Sequence, residues 1–393
     1  MQLQSFIPPQ RILMGPGPSQ VSPRVLAAMA RPTIGHLDPQ FVDLMDQISV
    51  LLRGVFRTQN RLTMPVSAPG SAGMESCFAN LLECGDKVII CRNGYFGSRM
   101  VEMAERMGGQ VVVVEDEWGD PVDPAKAEDA LKQHPDAKVM AFVHAETSTG
   151  ALSDAKTLAA LAHKHDCVTI VDAVTSMGAL PLKVDEWELD AVYSGSQKNL
   201  SGTPGLSPVT FGPRALERIK QRRSRCQSWF MDVNLVMQYW SGESKRAYHH
   251  TAPINALYAL HESLLMIHEE GVENAWARHA SMHQALRAGL EALKLTYIGR
   301  EGARLPNLNA VALPAGMDEG PLRTRLLNDF GLEIGGGLGA LAGKAWRIGL
   351  MGSSCTAPNV LYCLAAVGAV LAAENNTIDA GAGVAAASQL LNA

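Results

Sequence analysis

Short runs that are apolar on both faces, spaced by segments of helical period, restrict this chain more than any other feature. Runs of strand length occur at residues 88–91, 111–114, 139–143, 168–171 and 191–193, with helix-periodic segments at 97–107, 123–134 and 154–165 between them. A strand apolar on both sides needs helices above and below it, and a strand–helix–strand rhythm makes neighbouring strands parallel. The expected fold class is α/β, a mainly parallel sheet with helices on both faces. In such sheets the loops leaving the carboxyl ends of the strands converge on a crevice, which is where chemistry is expected.

At 393 residues the chain exceeds the roughly 250–300 at which one core stops growing, so two domains are expected. Beyond about residue 255 the rhythm changes to long helices, 256–270 and 274–293, followed by short strands near 311–313 and 346–348, the pattern of a smaller α+β domain. The predicted organisation is an extended arm over residues 1–12, a large domain over 13–265, a small carboxyl-terminal domain over 266–375, and a flexible Ala- and Gly-rich tail over 376–393. A net charge of -5 offers no attraction for a polyanion, so no nucleic-acid partner is expected, and the basic run at 220–225 reads as a solvated helix end. The uncharged apolar stretch at 360–373 is shorter than the roughly 18–20 residues of a membrane span and reads as a buried helix, so no membrane partner is expected. Cysteines without a CxxC pair, set in apolar stretches, and a start lacking a basic segment followed by an apolar run point to a reducing, cytoplasmic setting.

The chemistry centres on two strand ends. Tyr193-Ser194-Gly195-Ser196-Gln197-Lys198 closes one run in small polar residues and then presents a lysine, and the preceding run ends in Asp172-Ala173-Val174. A lysine alone is most often a surface residue; at adjacent strand ends, an acid and a lysine meet in one crevice. A pyridoxal cofactor needs that pair, an amine to form an imine and a carboxylate to keep the pyridine nitrogen protonated. Its phosphate needs a cradle, and Ser67-Ala68-Pro69-Gly70-Ser71-Ala72-Gly73 is a small-residue turn entering a helix, whose free N–H groups bind a dianion without a cationic side chain. In Asn93-Gly94-Tyr95-Phe96, Phe96 stands where it could stack on a flat ring, although a single Phe is more often a core residue.

Other chemistries fit less well. His163, His165 and Cys167 have no common zinc spacing, so no metal is expected. Gly339 to Lys344 falls one residue short of a P-loop and is followed by Ala345 where Ser or Thr must hold magnesium. No GxGxxG turn joins a first strand to a helix.

Several further segments, in order, carry a resemblance: Leu13-Met14-Gly15-Pro16-Gly17-Pro18, Gly35-His36-Leu37-Asp38-Pro39, His144-Ala145-Glu146-Thr147-Ser148-Thr149-Gly150, Tyr248-His249-His250-Thr251, Gly335-Gly336-Gly337-Leu338-Gly339 and Trp346-Arg347-Ile348-Gly349-Leu350. With the segment around Lys198, they make the chain resemble the fold-type I, class V aminotransferases, in their alanine–glyoxylate and serine–pyruvate branch, from about Arg11 to Ala373. The resemblance implies a seven-stranded sheet, pyridoxal 5'-phosphate as cofactor, and transfer of an amino group from alanine or serine to a small 2-oxo acid, foremost glyoxylate. Ureidoglycine–glyoxylate transfer in purine catabolism is one alternative. A cysteine desulfurase-like lyase, with Cys355 as its mobile thiol, is another.

By the same resemblance Lys198 is the imine-forming lysine, Asp172 the pyridine-nitrogen partner, and Val174 the residue beneath the ring opposite Phe96. Thr147 lies near the phenolic oxygen. Gly70, Ser71, Ala72 and Gln197 belong to the phosphate site, joined by Tyr248 and Thr251 of a second subunit, so the implied assembly is a homodimer with shared sites. Arg347 grips the substrate carboxylate, and Gly17, Gly35 and His36 border the substrate. Three positions depart from the pattern: Pro69 stands where many relatives have Ser, Phe96 replaces a larger Trp, and His36 occupies a place where ureidoglycine-using relatives tend to have Gln. The loss of an N–H and a hydroxyl at Pro69 shifts the expected weight of phosphate binding toward Tyr248 and Thr251.

Overall fold

The structure, a computed structural model, describes residues 4–240 and 246–392. Seven strands form the main sheet: β1 (Leu62–Val66), β2 (Lys87–Arg92), β3 (Gln110–Glu115), β4 (Val139–Val143), β5 (Val168–Asp172), β6 (Ala191–Tyr193) and β7 (Ser207–Phe211). They lie in the order β1-β7-β6-β5-β4-β2-β3, and only β7 runs against its neighbours, antiparallel to both β1 and β6. The five predicted runs are β2 to β6. The other two strands escaped the pattern because each carries a proline and a threonine. In the sheet Pro65 and Pro208 are register partners, and the hydroxyls of Thr63 and Thr210 bond to each other at 2.8 Å. Because β7 is the one reversed strand, β1 points the same way as β2, β4, β5 and β6, and their carboxyl ends open on one side. Helices α1 (Gly70–Leu81) and α2 (Tyr95–Arg106) start there, after β1 and β2.

A second, antiparallel sheet contains β8 (Thr296–Tyr297), β9 (Leu308–Ala312), β10 (Gly335–Gly336) and β11 (Ala345–Gly349) in the order β8-β9-β11-β10. Before it in the chain come α3 (Ile254–Glu270) and α4 (Val272–Ala292), and after it α5 (Ala357–Glu374) and α6 (Ala382–Leu391). Two main cores result, beside a smaller cluster that includes Leu180, Leu305 and Met351. Leu257, Leu260, Leu264 and Ile267 of α3 all belong to the large one, whereas Leu286 and Leu290 of α4 pack with Trp346 and Val367 in the small one. The boundary expected at 265/266 would therefore cut a helix; α3 ends at Gly271, with φ +87°, and the change of core falls within α4, whose Val272 and Trp276 still pack with the large core and whose Ala285 and Leu286 pack with the small one. The arm is also less separate than expected. Its last residues, Arg11 and Ile12, bond to Leu327 and pair with Leu332, and Met14 just beyond is buried in the small core, whereas residues 4–10 are exposed.

Two further expectations need correcting. The flexible tail expected over 376–393 is, in its described part, largely a docked helix, for α6 packs on α4 and α5 with Ala387 fully buried. A composition rich in Ala and Gly mimics a loose segment, yet the same small residues let helices approach closely. The run at 220–225 is not simply a solvated face: Arg222 donates to the carbonyls of Ala79, Asn80 and Leu82, and Arg218 to that of Leu81, so the two guanidinium groups satisfy the carboxyl end of α1. The stretch at 360–373 lies in α5, long and apolar enough to cross a membrane, but Val360, Leu364, Val367 and Leu371 build the small core.

A Cβ on Gly289 of α4 would stand 2.3 Å from Leu364 Cδ1 and 2.8 Å from the Gly383 carbonyl of α6. Gly289→Ala gains roughly 1 kcal/mol in helix propensity, but overpacking costs about 1–3 kcal/mol, and a backbone oxygen cannot step aside as a side-chain tip can. The melting temperature should fall; a rise would mean that α6 does not dock there.

Acidification acts on the same cores. Burial holds His144, His279 and His283 each down to about 4. Since the unfolded imidazole titrates near 6.5, their contribution is complete above that pH and is lost as pH falls toward 4. Asp172, pushed up to about 6 by burial, has the opposite sign over 6 to 3.8. Buried Glu146 is raised as well and His250 is also lowered to about 4, so the lowered histidines outnumber the raised carboxylates and scanning calorimetry should show the melting temperature dropping between pH 6.5 and 4.

Candidate active site

A cleft of about 240 Å³ opens at the carboxyl side of the main sheet. The start of α1 contributes Gly70 and Ser71, and the first turns of α2 contribute Phe96 and Arg99. Thr147 comes from the loop after β4, Asp172 and Val174 from the end of β5, and Gln197 and Lys198 from the segment after β6. A wider groove of about 930 Å³ lies at the opposite ends of β5 and β6. Its Asp190 is occupied by His163 and by the N–H and hydroxyl of Thr169, and the opposed charges along that groove fit a solvated surface better than a reaction site.

The carboxylate of Asp172 is almost fully buried and held at both oxygens, one by the Val174 N–H at 2.8 Å and the other by the Tyr193 hydroxyl at 2.7 Å. Burial pushes it up to about 6, and the two donors limit the rise. Lys198 is lowered to about 8, first by burial and then by the nearby charge of Arg347. Its Nζ donates to the Pro16 carbonyl. Gly17 covers it so closely, at φ +105°, that a Cβ there would lie 2.6 to 2.9 Å from the lysine's Cδ, Nζ and Cε. The predicted role of Gly17 was contact with substrate; its direct neighbour is the lysine.

The amino end of α1 has no side-chain cap, because Pro69 occupies that position. The N–H groups of Gly70 and Ser71 stand in the first turn, ahead of any intrahelical acceptor, and both residues line the cleft. Ala72 differs from expectation: it does not line the cleft, and its N–H is committed to the Pro69 carbonyl at 2.7 Å. Gln197 Oε1 is buried without a partner among the described residues. Contrary to the expectation of a cradle without cations, the Arg99 guanidinium reaches it, donating from Nη1 to Ser71 Oγ at 3.0 Å.

Sequence reasoning also missed Glu146. Fully buried, its carboxylate accepts from the N–H and hydroxyl of Ser148 and from the N–H groups of Phe96 and Gly97, so it caps α2 from another loop and fixes the segments carrying Phe96 and Thr147. Gly94 makes room for it: a Cβ there would be 2.5 Å from Glu146 Cγ. The signal was present as Gly94 and Glu146 in two quoted motifs, but their contact spans about fifty residues of sequence. Arg347, in β11, is nearly buried, with its Nε–H donated to the Gly336 carbonyl at 2.7 Å. It does not line the cleft wall, though Lys198 feels its charge. Gly35, His36, Tyr248 and Thr251 lie outside their own chain's cleft. His36 packs against Tyr248 with ring centroids 5.2 Å apart, and Tyr248 is 62% exposed.

Comparison with known proteins is decisive for the family. The profile described as Aminotransferase class-V matches residues 13–339. The chain belongs to the class V aminotransferases. It is 38% identical to the alanine–glyoxylate aminotransferase of Rattus norvegicus, over 89% of this chain and 85% of that protein. Among solved structures it is similar to an alanine–glyoxylate aminotransferase from Nostoc sp., with a TM-score of 0.92, 44% identity and coverage of 94% and 98% of the two chains. It is also similar to the ureidoglycine–glyoxylate aminotransferase from Bacillus subtilis, with a TM-score of 0.96, 38% identity and coverage of 99% and 100%.

The cofactor of this aminotransferase is pyridoxal 5'-phosphate, and the cleft fits it. The uncapped α1 terminus suits the phosphate, and the unpartnered Gln197 amide, turned over, would present N–H to a phosphate oxygen. The braced Asp172 carboxylate suits a protonated ring nitrogen. Gly17→Ala would push the Lys198 amine from its place without unfolding the chain. Turnover at a temperature where the variant remains folded should fall about 100-fold, the effect of displacing a reacting group by some 1 Å, alongside a lowered melting temperature from the strained backbone at φ +105°; wild-type kcat would contradict the contact.

Proposed function

We propose that this aminotransferase moves the amino group of a small amino acid, alanine or serine, to glyoxylate, giving glycine and pyruvate or hydroxypyruvate, and that it works as a homodimer whose sites are shared. The observation that carries the reading is the meeting of Lys198 and Asp172 in one cleft beside the α1 terminus, in a chain whose similar relatives include alanine–glyoxylate aminotransferases. When bound, pyridoxal phosphate supplies an aldehyde carbon that condenses with amines and a protonated ring that accepts the electron pair of the substrate Cα–H bond. Asp172, kept from rotating by Tyr193 and Val174, holds the ring nitrogen's proton. Phe96 and Val174, both lining the cleft, would hold the ring, and Gly70, Ser71 and Gln197 would take the phosphate.

Lys198 is the base. Burial and Arg347 lower its amine toward neutrality, so a useful fraction is uncharged and able to take the α-proton from the substrate carbon and deliver it to what would be the cofactor's aldehyde carbon. Arg347, anchored at Nε, offers the rest of its fork to the substrate carboxylate and so sets the direction of the Cα–H bond. Support for the shared site comes from Gly35, His36, Tyr248 and Thr251, which lie outside their own cleft, and from the exposed rings of Tyr248 and Trp229, surfaces that suit a partner's mouth. The seven unpaired thiols suit a reducing cytoplasmic compartment.

A second reading keeps glyoxylate as acceptor and takes ureidoglycine as donor, favoured by the likeness to the Bacillus subtilis enzyme. The desulfurase-like alternative loses its candidate thiol, for Cys355 is fully buried and pushed up to about 12. Mixing the purified yellow enzyme with alanine, serine and ureidoglycine in turn and following loss of the visible band ranks the donors; bleaching by ureidoglycine alone would replace the first reading with the second. Lys198→Ala should lower turnover by at least about 10²–10⁴-fold, the range for loss of a general base. Undiminished activity in that variant would remove the mechanism.

A further inference from the structure

The turn that receives the phosphate is poorer than it looks in sequence. Pro69 brings neither N–H nor hydroxyl, and the N–H of Ala72 is spent on the Pro69 carbonyl. A dianion with two phosphoryl charges then has few donors within this chain, and the cleft answers with a cation the motif did not announce. Arg99 lies three residues after Phe96 on α2, so both side chains leave the same face of the helix. Its guanidinium carbon stands 4.9 Å from the centre of the Phe96 ring and 5.5 Å from that of Tyr95, and its Nη1 donates to Ser71 Oγ at 3.0 Å. Among the described residues no carboxylate pairs with it.

We propose that Arg99 is a phosphate-recognition residue of this chain, oriented by Phe96 and Ser71 so that its remaining N–H groups meet the cofactor's phosphate at the mouth of the α1 cradle. The inference rests on the pyridoxal phosphate reading and deepens it. Since Ser71 Oγ accepts from Arg99, its own hydrogen is left for a phosphate oxygen, and the two residues act as a pair. Stacking on Phe96 keeps the planar fork in place, which a lysine ammonium would not reproduce. The charges of Arg99 and Arg347 both act on Lys198, so two guanidinium groups reach this site. The same stack ties the phosphate to the aromatic side chain that covers the ring, so one residue senses both ends of the cofactor.

The test compares wild type, Arg99→Met and Arg99→Lys as full-length chains freed of cofactor, titrated with pyridoxal 5'-phosphate and, separately, with pyridoxal, by the visible band and by tryptophan fluorescence. Arg99→Met should weaken pyridoxal phosphate about 10- to 100-fold, the range for losing charge-assisted hydrogen bonds, while pyridoxal, which lacks the phosphate, changes less than about twofold. Arg99→Lys should fall between them. Inorganic phosphate should raise the melting temperature of cofactor-free wild type and not that of Arg99→Met. Wild-type affinity of Arg99→Met for pyridoxal phosphate would overturn the proposal, as would an equal loss for both ligands, which would make Arg99 a support for Phe96 alone. If wild type binds neither ligand, the cofactor reading itself fails and takes this one with it.

Discussion

A carboxylate held inside the protein at the end of a parallel strand is the constraint around which the cleft is built. Removing Asp172 from water costs several kcal/mol unless other groups replace the solvent. The replacement is local and directional: a backbone N–H two residues on and a phenol from the adjacent strand, with Asp172 and Tyr193 partners in register across β5 and β6. Register alone brings that phenol to that oxygen, so the parallel pairing of two short strands sets the acid's orientation. A slip of one residue would turn Tyr193 to the other face and leave the charge unsupported.

Helix α1 extends the same logic to the anion end of the cleft. Its amino terminus is left open toward the ligand, while Arg218 and Arg222 close its carboxyl terminus at Leu81, Ala79, Asn80 and Leu82. Cations at the far end favour the helix dipole and anchor the helix so that its open end stays where it is needed. Across the cleft, Glu146 does the reverse for α2. It fills that helix's amino end from within the protein, which leaves the amino end of α1 as the open one for a ligand and fixes the backbone of Phe96.

The lysine and the arginine come from different domains, and their relative placement depends on a clasp of backbone and short side chains. Directly after Lys198, Asn199 accepts from Asn307, the residue before β9, at 2.9 Å, and Ser201 accepts from the Ser353 N–H at 2.7 Å. The loop holding Ser353 leaves β11, the strand of Arg347, and its Gly352 N–H donates to Nε2 of His279 in α4. His279 donates in turn from Nδ1 to the Ala275 carbonyl, so its neutral form is required at the junction. Gly352 is needed as glycine, since a Cβ would meet Ser201 Oγ at 1.9 Å. Short groups of this kind leave little play between the base and the carboxylate grip.

By itself the sequence determined the α/β class, five of the seven main strands, and the two strand ends that carry Asp172 and Lys198, because these depend on short-range period and on what a buried run must do with its polar end. It also exposed the small-residue turn at Gly70 and Ser71. Only the tertiary structure decided the rest. The strands with Pro65 and Pro208 have no local signature, since it is their pairing that makes them strands. Residues 382–391 look loose until α4 and α5 offer a surface that only small residues can meet. Glu146, Arg99 and Tyr193 gain their importance from neighbours distant in sequence, for a charge becomes functional through the donors and rings packed around it, and packing is not written in any one segment.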